Sequence, residues 1–137
     1  MVEYKKYSDK FYPDVKQNMV EGGRFSPQRD TRARLLTKIK RDPDSIIIAV
    51  DKGHAVGSVY IIPDDWCSWI FRVAVRKSHR GTGIGKELVA KAEEKLKEKG
   101  NGHVVLYVKT SQKGLKKFYE KLGYTEYTRT IAMIKRL

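Results

Sequence analysis

Cysteine is nearly absent from this 137-residue chain: Cys67 stands alone, beside three histidines. One cysteine excludes an internal disulfide, and so few Cys and His side chains exclude a structural zinc site. No stretch approaches the roughly 20 apolar residues that a membrane-spanning helix needs. The opening "MVEYKKYSDK" lacks the apolar core of a secretion signal, so a soluble cytoplasmic protein without a membrane partner is expected. Repeats, low-complexity tracts and Pro/Ser/Gly linkers are also missing, which suits a single domain over residues 1–137. Acidic residues run short in the second half. Residues 1–68 hold 12 Lys/Arg against 10 Asp/Glu, but residues 69–137 hold 17 against 6. Most of the net charge of +13 therefore lies there. Such an excess is either a plain basic surface or the footprint of an anionic partner, a nucleic acid or a phosphorylated small molecule.

What is present reads as a mixed order of elements. "VEYKKY" suits a first strand, and "YPDVKQNM" a helix that "EGGRFS" ends. Ser26-Pro27 has the form of a helix start, with Ala33, Leu35, Leu36 and Ile39 as its apolar face. "SIIIAV", the turn "DKGH" and "AVGSVYII" predict a hairpin over residues 45–62. "WCSWIFRVAV" is the next strand. Ile84, Leu88, Val89, Ala92 and Leu96 then recur at helical spacing up to Gly100. "HVVLYV" reads as a strand, and Ser111 as the cap of a last helix carrying Leu115, Phe118, Tyr119 and Leu122. "YTEYTRTIAMIKRL" is rich in strand formers and predicts one or two closing strands. The sum is an α/β chain with parallel and antiparallel pairing.

Between the strand "RVAV" and the long helix lies "RGTGIGK", residues 80–86. A single glycine would serve a tight strand-to-helix turn; three within a basic stretch point to an anion held by backbone amides at a helix start. Two phosphate-binding templates fail here. A triphosphate loop ending at Gly85-Lys86 would need glycine where Arg80 stands and a hydroxyl where Glu87 stands. The dinucleotide fingerprint would need a last glycine where Lys86 or Leu88 stands.

"VRKSHRGTGIG", Val75 to Gly85, matches V-x(4)-[QR]-x-x-G-x-[GA] at every fixed position. With "KKFYEKLGY" some 35 residues on, the chain resembles the GCN5-related N-acetyltransferase (GNAT) family over roughly residues 45–127. The resemblance implies a mixed, mostly antiparallel central sheet of six or seven strands flanked by about four helices. It implies acetyl-CoA as cosubstrate, no metal, and transfer of an acetyl group to a primary amine. Homodimers are common in the family and remain open here.

The resemblance also assigns residues. Arg80, Gly81, Thr82, Gly83, Ile84, Gly85 and Lys86 would hold the CoA pyrophosphate. Val73, Ala74 and Val75 would pair with pantetheine through their backbone. Tyr119 would donate to the departing thiolate, although its apolar neighbours also suit a core role. Gln112 stands where the family has an asparagine. Tyr107 stands where many relatives carry a glutamate base, and the central strand offers "WCSWIF", again without a carboxylate. Asp64 and Asp65 are the nearest acids in sequence, and a chain of waters is the other route for the proton. The missing carboxylate leaves a second reading, an acyl-CoA-binding or sensor domain with weak turnover. Nucleic-acid binding has only the net charge in its favour. His79 suits a solvated loop better than a phosphate contact, His54 and His103 look structural, and Cys67 a small buried hydrophobe.

Overall fold

The computed structural model describes every residue except Asn101. The chain packs as two compact units, residues Met1–Leu106 and Tyr107–Leu137. The first contains a five-stranded sheet in the order β1 (Glu3–Lys6), β2 (Ile46–Asp51), β3 (His54–Ile62), β4 (Ser68–Val75) and β5 (Val104–Val105). The first three pairings are antiparallel and β4–β5 is parallel. Helices α1 (Tyr12–Glu21), α2 (Arg32–Arg41) and α3 (Ile84–Lys99) complete this unit. The second unit holds α4 (Lys113–Lys121). The α/β class, the mostly antiparallel mixed sheet and the four helices are as expected.

β2 and β3 are buried along almost their whole length because both faces of the sheet are covered. Ile46, Ile48 and Val50 share one face and join a core with Tyr7, Phe11, Val15, Met19 and Leu35, contributed by the N-terminal segment, α1 and α2. α3 packs on β2, β3 and β4 with Ile84, Leu88, Val89, Ala92 and Leu96 buried, the five residues picked out by their spacing. Lys52 and Gly53 turn the β2–β3 hairpin with φ of 50° and 81°, values that a tight hairpin turn requires.

Three expectations need correction. The second helix starts at Arg32, capped by the Thr31 hydroxyl, which accepts from the Arg34 amide. Ser26 closes a separate turn instead: its carbonyl accepts from the Asp30 amide, and its own amide donates to the Asp30 carboxylate. Ser111 does not cap α4; Gln112 holds that position, and its side chain accepts from the Lys109 amide. Among the described residues five strands form rather than six or seven. Only Val104 and Val105 of "HVVLYV" pair, and residues 124–137 contain no strand, with Tyr127, Ile131, Met133 and Ile134 exposed. β-propensity is a fit to a half-buried pleated surface, and these side chains bury none.

Two contacts fix how α1 and α3 meet the sheet. Gly57 lies under the start of α3, where a Cβ would stand 2.9 Å from Leu88 Cδ1, 3.1 Å from Ile84 Cγ2 and 3.2 Å from the Ala74 carbonyl oxygen. Asp14 on α1 accepts from the Ala55 amide at 3.1 Å and from Arg76 Nη2 at 3.1 Å, and meets His54 Nδ1 at 3.3 Å. Asn18, one turn on, is buried between the Ala55 carbonyl and Arg76 Nε. Burial pushes the Asp14 carboxyl up, but the Ala55 amide, Arg76 and His54 outweigh it and hold it below the ordinary carboxylate range.

Gly57→Ala is expected to cost about 1–3 kcal/mol by overpacking α3 against β3, read as a lowered denaturant midpoint at unchanged slope. An unchanged midpoint would place α3 further from the strand. Asp14 carries a pH signature. Its folded pKa is depressed, so its stabilisation is complete above the unfolded value of about 4 and is lost as pH falls through the folded value. The melting-temperature gap between wild type and Asp14→Asn should therefore be widest near neutrality and shrink below about pH 4. A gap that stays constant across that range would remove Asp14 from the acid response.

Candidate functional site

β4 is the strand from which the site grows. Ser68 and Trp69 pair with Val104 and Val105, and the pairing with β5 ends there. On its other side β4 stays paired with β3 up to Gly57↔Val75, and the Arg76 amide continues the ladder with a 2.7 Å bond to the Val56 carbonyl. Between Ser58↔Ala74 and Tyr60↔Phe71 the register slips by one residue on β4. Arg72 sits in this bulge with φ of 54°, a left-handed value that a non-glycine residue rarely takes. Its guanidinium holds the conformation from outside: Nε donates to Asp30 Oδ1 and Nη2 lies 3.3 Å from Asp30 Oδ2. Asp30 is itself buried, and its other partner is the Ser26 amide.

Beyond the bulge, Val73 and Val75 turn their carbonyls away from β3. Arg24 Nη1 donates to the first at 3.2 Å, and Arg80 Nε to the second at 3.1 Å. These residues, with Asn18 and Gly22 at the end of α1, line a pocket of about 230 Å³. Val73, Ala74 and Val75 therefore form a strand edge bordering a cavity, as a backbone-pairing site needs.

The glycine loop follows directly. Gly81 and Gly83 have φ of 77° and 88°, and a Cβ at either would meet nothing within 4 Å. Their glycine character thus serves backbone direction and leaves the outer surface of the loop open, rather than admitting a neighbouring element. Gly83 is the N-cap of α3 and its carbonyl accepts from the Glu87 amide. Ile84, Gly85 and Lys86 occupy the first turn, where helix amides have no intrahelical acceptor and the dipole is positive. The Thr82 hydroxyl donates to the His79 carbonyl and closes the loop from behind. Arg80 and Lys86 are exposed.

The loop is tied down on its approach side. Arg76 bonds Asp14 and Asn18, the Lys77 amide donates to Glu21, and His79 Nε2 meets Asp51 Oδ2 at 2.9 Å. His79 is accordingly half-buried against the end of β2 rather than solvated, which corrects the expectation from sequence. The His79 contact holds the Asp51 carboxyl below its usual range, with burial opposing it. His54, by contrast, has the structural role expected, on Asp14. Asp64 accepts from the Trp66 amide and Asp65 is exposed, so both are turn residues.

Arg24, Asp30 and Arg72 were missed by sequence reasoning. Arg24 and Asp30 lie in a connection of no evident pattern, and the left-handed φ of Arg72 has no signature in "FRVAV". Tyr119 and Gln112 belong to the second unit. Tyr119 is buried there, with the rings of Phe118 and Tyr124 edge-on at 5.0 and 5.7 Å. Tyr107 is exposed in the same unit. Among the described residues no three His, Cys, Asp or Glu side chains gather as metal ligands, and no helix is long and apolar enough to cross a membrane.

This arrangement has relatives. A model of the acetyltransferase (GNAT) family matches residues 7–124. An acetyltransferase of Pectobacterium atrosepticum is 32% identical over 111 residues, 81% of this chain and 78% of the relative. Among solved structures, a transcriptional regulator from Bacillus halodurans superposes with a TM-score of 0.79 at 20% identity, covering 98% of this chain and all of that one. The PaiA N-acetyltransferase from Thermoplasma acidophilum, solved in complex with coenzyme A, superposes with a TM-score of 0.73 at 19% identity, covering 89% and 88%. A family match over most of the chain, a curated acetyltransferase relative and a shared fold lead to one conclusion: the chain belongs to the GNAT family and is an N-acetyltransferase.

Proposed function

We propose that the chain moves the acetyl group of acetyl-CoA to a primary amine by direct attack of the amine on the thioester. The observation that carries this reading is the junction of an unpaired strand edge, Val73–Val75, with a helix opened by two left-handed glycines, Gly81 and Gly83. The first suits an amide-bearing chain such as pantetheine, and the second suits a pyrophosphate. That a relative of the same fold was solved with coenzyme A supports the same assignment.

On this reading Arg80, Gly81, Thr82, Gly83, Ile84, Gly85 and Lys86 bind the pyrophosphate, through backbone amides and the two exposed cations. Val73, Ala74 and Val75 pair with pantetheine. Acetyl-CoA supplies an activated acetyl group and a thiolate leaving group when bound. A backbone N–H of β4 next to the bulge stabilises the charge that develops on the carbonyl oxygen as the amine attacks. The Tyr119 hydroxyl donates a hydrogen bond to the sulfur as it leaves. A hydrogen bond to the charge developing on sulfur, rather than full proton transfer, is its contribution. Gln112 stands beside the start of α4 as a secondary contact for the cosubstrate. The amine's own proton leaves to solvent through water, because none of the sequence positions at which relatives carry a base holds a carboxylate.

Isothermal titration with acetyl-CoA and with CoA tests the donor, and an amine and peptide panel with thiol detection tests the transfer. Absence of binding at millimolar ligand would sink the reading. Gly83→Asp should abolish CoA binding while circular dichroism stays native, because it brings a carboxylate to the pyrophosphate; retained affinity would mean that the loop binds something else. Tyr119→Phe should lower turnover about tenfold or more with CoA affinity nearly unchanged, as expected from losing one hydrogen bond of about 1.5–3 kcal/mol to a charged group. Equal turnover would remove Tyr119 from the chemistry.

A further inference from the structure

The free edge of β4 carries two guanidiniums in different electrical situations from their neighbours. Arg32 meets Asp9, Arg72 meets Asp30, and Arg76 meets Asp14. Arg24 and Arg80 meet only the carbonyls of Val73 and Val75, and among the described residues no carboxylate lies within 4 Å of either. Glu21, the acid whose charge feels Arg80, is engaged by the Lys77 amide and by Gln17. The lining of the pocket they share contains no acidic side chain. Arg80 is exposed at the glycine loop, and its task is accounted for above. Arg24 is half-buried, comes from the connection between α1 and α2, and uses one donor of five on a neutral acceptor. An always-charged planar fork held in a pocket with no anion is suited to a carboxylate or phosphate from outside.

Position decides which molecule brings that anion. Val73 and Val75 are about 6.5 Å apart along an extended strand. Arg80 is at the phosphate end of that edge, whereas Arg24 is at the other end, beside the Arg72 bulge where the proposed reading puts the reacting carbonyl. Arg72 is neutralised by Asp30 and does not compete.

We infer that the acceptor is a primary amine that also carries an anionic group, a carboxylate or a phosphate, and that Arg24 binds this group. The inference rests on the acetyl-transfer reading of the same site. It also bears on the missing base. Pairing with Arg24 neutralises the acceptor's anion, which then no longer stabilises the acceptor's own ammonium, so the amine is drawn toward the neutral, nucleophilic state. Cationic acceptors, such as lysine-rich peptides, would meet repulsion at the same place.

The test uses the full chain with matched amines: ethanolamine, O-phosphoethanolamine, β-alanine and a lysine-rich peptide. Each is titrated into CoA-saturated protein by calorimetry and assayed with acetyl-CoA by thiol release. The expected result is binding and kcat/KM at least tenfold greater for O-phosphoethanolamine or β-alanine than for ethanolamine, and which of the two leads identifies phosphate or carboxylate. Arg24→Ala and Arg24→Gln should collapse that ratio through KM, leaving the acetyl-CoA Kd within twofold. Arg24→Lys should restore part of it, more for phosphate than for carboxylate, since lysine offers a point charge without the fork. No heat from either anionic amine at millimolar concentration on wild type, or preference for ethanolamine or the peptide, overturns the inference. So does an Arg24→Ala variant whose acetyl-CoA Kd rises as much as its acceptor KM, because Arg24 would then be a cosubstrate ligand. Failure of wild type to bind acetyl-CoA would instead sink the underlying reading, and this inference with it.

Discussion

The constraint on which the rest depends is the unequal pairing of β4. One side is satisfied by β3 along nearly its whole length, and the other by β5 for two residues only. A strand with unpaired carbonyls beside a cavity is costly unless something supplies donors. Here Arg24 and Arg80 do so, at alternate residues, as a paired strand would. A ligand with amide groups can replace them at little enthalpic loss, since one set of hydrogen bonds is exchanged for another. The bulge at Arg72 follows from the same design. An extra residue on β4 turns the backbone just before the free edge, and the pair between buried Asp30 and half-buried Arg72 keeps it turned. A left-handed arginine costs energy, and it persists because side-chain contacts over-determine it.

Rigidity at the free edge comes from α1 and from the helix that follows the loop. Gly57 permits α3 to begin close against β3, which sets where the open amides of its first turn point. Asp14, Asn18 and Glu21 lie along α1 about one turn apart, and all three reach the segment 76–77 or the start of β3. The entry to the glycine loop is thereby clamped by one helix face while its outer surface stays open. Preorganised amides gain their value from such clamping, because no reorganisation is then required when charge arrives.

The parts that could be read from sequence were those governed by local pattern. The hairpin, the period of α3, its stop at Gly100 and the glycine loop each depend on a few residues close in the chain. The start of α2 could not be read the same way, because Ser26-Pro27 and Thr31 both satisfy a cap pattern. The choice between them was made by the Asp30 carboxylate, bonded across the turn to the Ser26 amide and across 42 residues to Arg72. The role of His79 was hidden for a similar reason, since its partner Asp51 lies 28 residues away on β2. The C-terminal segment had strand propensity but no buried face to express it on. Propensity predicts pairing only when a partner surface exists.

The uneven charge acquires a cause once these pairs are drawn. Several acids of the first half face cations of the second: Asp14 meets Arg76, Asp30 meets Arg72, and Asp42 and Asp44 meet Lys99, while Asp51 holds the His79 ring. The sequence therefore needs few acids after residue 68 to hold its own fold together. Neutralisation is selective. It covers the cations that flank the free edge from behind, and it leaves Arg24, Arg80 and Lys86 without an acid around the pocket and loop. At the pocket, Arg24 and Arg80 stand on one strand edge with Lys86 in the helix start beside it, a scale that suits a small anionic ligand and its reaction partner.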